Sequence, residues 1–212
     1  MDPAKAAELE RNLATRPERN ARVIVGDANE KLVEYLRSWN SRTSRGVVFL
    51  DPFAMNVRWS TLEAIARTNS LDLWLLFPIG AVARTMPVSG DIPRVWLDKL
   101  ISIFGEDPTP HLYETQTHQA LFPDEVEEEQ RFRRGGIEIL GAYTVRRLQT
   151  IFRGFVSEQA LRLKNSRNST MFLLMFCSAN PSPKAVELAE KVVEDILKRH
   201  AKGGGHVQRF GD

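Results

Sequence analysis

Cysteine is nearly missing from this chain: Cys177 is the only one in 212 residues. That excludes an internal disulfide framework and any zinc or iron–sulfur site built from several cysteines of one chain. Within MFLLMFCSA the lone cysteine reads as a small buried hydrophobe rather than a nucleophile. Histidine is scarce as well, and His111, His118, His200 and His206 show no paired metal-ligand spacing on one helical face. Bulk charge is close to neutral, at +2, so composition gives no electrostatic case for nucleic acid. Long apolar runs are absent too. Nothing approaches the roughly 18–20 residues of a membrane span, and Met1 to Lys5 lack the basic-then-apolar order of a secretory signal. These absences point to a cytoplasmic protein.

What is present is ordinary globular material, 42% hydrophobic and 26% charged. It predicts one domain over 1–202, with a helical insertion at about 85–150 and a disordered tail at 203–212. Asp2 and Pro3 open a first helix over about 3–15. Arg22 to Asp27 predict a short strand ending in Gly-Asp, and Ala28, Leu32, Leu36 and Trp39 mark the face of a helix after it. The unit repeats. Gly46–Leu50 is an apolar strand, Trp59–Thr68 a helix with Leu62, Ile65 and Ala66 inward, and Leu71–Pro78 another strand. Strands without polar alternation, spaced by helices, belong to a parallel sheet buried on both faces. Farther on, Val95 to Phe104 predict a helix stopped by Gly105. A charged segment from about 118 to 133, acidic at Asp124–Glu129 and basic at Arg131–Arg134, predicts a solvated helix with internal ion pairs. A helix near 136–152, a hairpin turning at Asn165–Ser169 and a last helix from Ser182-Pro183 to Gly203 complete the order.

In an open parallel sheet, ligands gather beyond the carboxyl ends of the strands. Three such ends are predicted along one rim: Gly26-Asp27, Asp51-Pro52-Phe53 and Phe77-Pro78. At the second, Asp51 would accept a hydrogen bond at the mouth of a cleft. Pro52 fixes one backbone angle and withholds a donor, and Phe53 offers a flat face for stacking. The plainer reading is that Asp51 caps the next helix and Phe53 is core. Arg84, after the third end, either reaches an anionic group at the rim or is a surface arginine. Trp59 and Trp74 read as core. Arg146, Arg147, Arg153, Lys164 and Arg167 form either a basic patch toward nucleic acid or scattered surface charge.

Taken together, Val23-Ile24-Val25-Gly26-Asp27-Ala28-Asn29, then Val47-Val48-Phe49-Leu50-Asp51-Pro52-Phe53-Ala54, then Leu73 to Gly80 with Arg84, and the closing Thr170–Asn180, resemble the three-Cys-motif partner (TcmP) family over about residues 5–200. The resemblance implies a Rossmann-like, class I methyltransferase-type α/β sheet. It would be mostly parallel, in strand order 3-2-1-4-5-7-6, with a C-terminal antiparallel hairpin. Its cofactor would be S-adenosylmethionine. Asp27, with Ala28 beside it, would contact the adenine amino group. Asp51, Pro52 and Phe53 would stand at the (Asp/Asn)-Pro-Pro-(Tyr/Phe) position of amine methyltransferases, with one proline here in place of two, and Arg84 would serve the substrate. The family's partner is a radical-type enzyme carrying the three cysteines.

By this correspondence residues 22–27 and 46–50 are the third and fourth strands. The N-terminal strands and the glycine-rich cofactor loop are missing, since the first glycine is Gly26. A truncated domain, or a shrunken sheet in which strands three and four pair directly, is the expectation, with weak or no binding of S-adenosylmethionine. The functional expectation is an S-adenosylmethionine-dependent methyltransferase, N-directed and impaired as this chain. The other reading is a non-catalytic binding partner of the radical-type enzyme, using 85–150 as its interface. An unrelated nucleotide-binding α/β domain is disfavoured because no phosphate-cradling loop is found.

Overall fold

The structure, a computed structural model, describes residues 3–118, 128–202 and 206–210. Where one domain was expected, its contacts divide the chain into two compact units, Met1–Trp39 and Asn40–Asp212.

In the first unit, α1 spans Pro3–Ala14, a 3-10 turn spans Pro17–Arg19 and α2 spans Ala28–Arg37. The strand predicted at 22–27 does not form: no strand pairs with it among the described residues, and Ile24 and Val25 stay about half exposed. β-branched residues suit a pleated surface packed against neighbours, and without a neighbour the preference has nothing to act on.

The second unit runs β1 (Gly46–Leu50), α3 (Trp59–Arg67), β2 (Leu71–Phe77), α4 (Ile79–Arg84), α5 (Arg94–Phe104), α6 (Thr109–Leu112), β3 (Tyr113–His118), β4 (Glu128–Arg133), α7 (Ile137–Gln149), β5 (Phe155–Val156), β6 (Gln159–Lys164), β7 (Thr170–Ser178), α8 (Pro183–Lys202) and β8 (His206–Arg209). The main sheet has the order β1-β2-β7-β6-β8, and the short β5 also pairs with β7. The chain is thus mixed α/β. The expected mostly parallel sheet needs correction, because only β1 and β2 are parallel and the other pairings described are antiparallel. Local apolar runs specify a strand but not the direction of its neighbour.

Residues 71, 73, 75 and 77 of β2 are at most 3% exposed, with Leu173, Met175 and Cys177 of β7 beside them on the same face. Helices α3 and α4 cover that face. On the opposite face α8 packs Ala189, Val193 and Leu197 onto Phe176 and Leu161, with Trp74, Phe155, Leu174 and Val207 around them. This second cover is incomplete. Val47 and Phe49 of β1 are 65% and 59% exposed, so β1 is an edge strand with one open face and not the doubly buried strand predicted.

Two other expectations are corrected. The helix predicted at about 118–133 gives way to an antiparallel hairpin of β3 and β4, with 119–127 outside the described residues. The tail predicted to be disordered supplies β8, antiparallel to β6, and then the buried Phe210. Its ring lies against Gly141 of α7, where an added Cβ would fall 2.2 Å from a ring carbon. Among the described residues no helix is long and apolar enough to cross a membrane.

Candidate functional site

Because β1 and β2 are parallel, the loops that follow them leave the same edge of the sheet. The first carries Asp51, Pro52 and Phe53. It is anchored from below. Met55 and Val57 are buried, the Met55 sulfur accepts a 4.0 Å contact from the Thr85 hydroxyl, and Lys99 Nζ donates to Asn56 Oδ1 at 3.0 Å. Above those anchors Asp51 is exposed and Phe53 is 88% exposed, so Phe53 is not core. Ala54, next in the chain, takes φ +53°, a left-handed conformation costly for a residue with a Cβ. Nor does Asp51 cap α3, whose N-cap is Arg58, seven positions on. What the geometry offers at this tip is an exposed carboxylate next to a proline and an exposed aromatic face. Asp51 lines none of the three grooves described in this unit.

The second loop is closed. Pro78, Ile79 and Gly80 are buried, and an added Cβ on Gly80 would lie 2.7 Å from the carbonyl oxygen of Thr170 in β7. Glycine is required there by the close approach of α4 to the strand. Arg84, in the last turn of α4, is exposed. Its neighbourhood is organised by a residue that sequence reading passed over: Arg133 of β4 donates from Nη1 to the carbonyls of Ala83 and Met86, at 2.8 and 2.6 Å, and so caps α4.

Asp27 is the N-cap of α2. One carboxylate oxygen accepts from the backbone N–H of Asn29 at 2.8 Å and from its side-chain amide at 3.1 Å. Ala28 is exposed at the first position of that helix. The rim predicted to join Asp27 to Asp51 therefore lacks the strand it needed.

The basic residues do not gather as one exposed patch. Arg147 turns inward from α7, where Nε and Nη2 donate to the Phe104 carbonyl at 3.2 and 2.9 Å and Nη1 lies 3.2 Å from Glu106. Its guanidinium sits 4.8 Å from the ring centroid of Trp59. Tyr143, one turn earlier, donates its hydroxyl to Glu106 at 3.0 Å and stacks on His111. Burial, reinforced by the hydrogen bond to Glu106, pushes the Tyr143 hydroxyl well above its ordinary pKa. This cluster was missed in the sequence, although Tyr143 and Arg147 at i, i+4 and Glu106 after the Gly105 stop were visible. It clasps α5 to α7: the carbonyl left unpaired at the end of α5 receives the guanidinium. Cys177 is fully buried, and desolvation raises its thiol far from the reactive range.

No family model, curated protein or solved structure matches the chain. Among the described residues the one Gly-Gly turn after a strand, Gly135-Gly136, leads from β4 of the hairpin into α7, and one oxygen of the Asp27 carboxylate is engaged by its own helix.

Proposed function

We propose that the chain is a methyltransferase-like α/β protein of the three-Cys-motif partner type, carrying the acceptor side of the site and little of the cofactor side. One observation carries the reading. The order β1-β2-β7-β6, with β7 antiparallel to both neighbours, is the order 4-5-7-6 that the resemblance implies for the second half of a class I sheet. In that correspondence β1 is the fourth strand, and Asp51, Pro52 and Phe53 stand where the fourth strand of an N-directed methyltransferase presents its motif. A carboxylate there would hold an acceptor N–H and turn the nitrogen lone pair outward, with Phe53 stacking on a planar group. Arg84, past the neighbouring strand end, would meet an anionic part of the acceptor.

Two measurements test this. Calorimetric titration with S-adenosylmethionine should return weak binding or none; tight, stoichiometric binding would show a complete cofactor site and overturn the acceptor-side assignment. Transfer of a radiolabelled methyl group to nucleic acid or protein, where it is detected, should vanish in Asp51→Ala with an unchanged circular dichroism spectrum. Transfer that survives the substitution removes Asp51 from the chemistry.

A further inference from the structure

The two edges of the main sheet are built differently. At one end β8 is four residues long and reads His206-Val207-Gln208-Arg209, a short polar edge of the kind that resists pairing with another chain. At the other end β1 reads Gly46-Val47-Val48-Phe49-Leu50, with no charge, no proline and no bulge inside it. Its only ladder partner among the described residues is β2, and its outward face exposes Val47 and Phe49. That face continues into a groove of about 550 Å³ bounded by Asp72, Trp74 and Phe176 on the sheet and by Leu188 and Val192 on α8. An unguarded edge beside an apolar face is a surface made to be covered.

The residues flanking β1 identify what covers it. Arg45 precedes the strand and Asp51 follows it, so the segment reads cation, five apolar residues, anion. An antiparallel copy of the same strand, related by a two-fold axis at Val48, sets Gly46 opposite Leu50 and Val47 opposite Phe49. One step beyond each end it sets Arg45 opposite Asp51, twice. Arg45 now donates from Nη1 to the carbonyls of Ser41 and Ser44, which leaves the other donors of its guanidinium to meet a carboxylate. The pattern is self-complementary, as a two-fold interface demands. We propose that β1 is a homodimer interface: two copies pair antiparallel through their free edges, and Val47 and Phe49 make reciprocal apolar cross-strand pairs beside the two grooves. The pairing holds independently of the methyltransferase reading. It also brings the partner's Arg45 next to Asp51 at the exposed tip.

The test is the solution mass of the whole chain, by light scattering across micromolar concentrations. The wild-type protein should weigh twice the single chain and fall toward it on dilution, and amide exchange over residues 46–50 should slow as the dimer forms. Phe49→Lys and, separately, Val47→Lys change exposed side chains, so each should keep the wild-type circular dichroism spectrum while the dimer fraction drops at least tenfold. A wild-type chain that stays monomeric overturns the proposal. So does a dimer that survives both substitutions, since its interface then lies elsewhere.

Discussion

The loops after β1 and β2 leave the same edge of one sheet, and each has a proline, Pro52 or Pro78, shortly after the strand end, yet they are built in opposite ways. After β1, Phe53 stands 88% exposed on a loop held from beneath by Met55 and Val57. After β2, Ile79 is fully buried and Gly80 is pressed against the backbone of β7. The difference separates a tip available to a ligand from a tip given over to architecture. Only their packing tells the two apart.

Substitutions at the closed tip should have the largest effect. Ile79→Ala should lower unfolding free energy by about 2–5 kcal/mol in urea titration, the cost of a cavity in a packed core. Gly80→Val should also destabilise, because its side chain would meet a backbone carbonyl that cannot move aside. A smaller effect belongs to the clasp beside that tip, where Phe77 packs on Phe104 and Phe104 on Tyr143. The folded pKa of Tyr143 is raised, so its contribution is full below about pH 10, the ordinary tyrosine value, and is lost as pH climbs through the folded value. Tyr143→Phe should cost about 1 kcal/mol at neutral pH and flatten the alkaline fall in melting temperature. Asp27→Ala, at the first predicted strand end, should cost about 1 kcal/mol as a lost N-cap, read as reduced helical signal.

The open tip should give the smallest changes in stability. Phe53→Ala should stay within about 0.5 kcal/mol of wild type, and a loss comparable to that of Ile79→Ala would erase the contrast between the two tips. Ala54→Gly should match or exceed wild-type stability by up to about 1 kcal/mol, since glycine adopts the left-handed angle without strain.

Much of the fold was legible where local rules act alone. Gly46–Leu50 is an uninterrupted apolar run and Leu71–Phe77 is broken only by Asp72, so both were readable as strands, and Gly105 ends α5 in the left-handed conformation at φ +76°. What was illegible depended on partners distant in sequence. Residues 23–25 are β-branched like much of β1, but no strand among the described residues pairs with them. The β4 strand was read as helix because charges of opposite sign at close spacing also suit helical ion pairs, whereas Arg131 lies over Tyr113 across the hairpin and Arg134 pairs with Glu114. The tail strand needed the notch at Gly141, more than sixty positions earlier. At the candidate site, the sequence singled out Asp51 and Phe53 at the mouth of a cleft; both are exposed, but Asp51 lines none of the grooves described, because the walls of a groove come from residues distant in sequence.

The burial of Cys177 carries one more consequence. It stands opposite Leu73 of β2 and Val156 of β5, at the seam where three strands meet. A thiol reagent reaches that sulfur only when the seam parts, so the rate of its alkylation is an internal clock for opening of the sheet, readable on the wild-type sequence without introducing a cysteine.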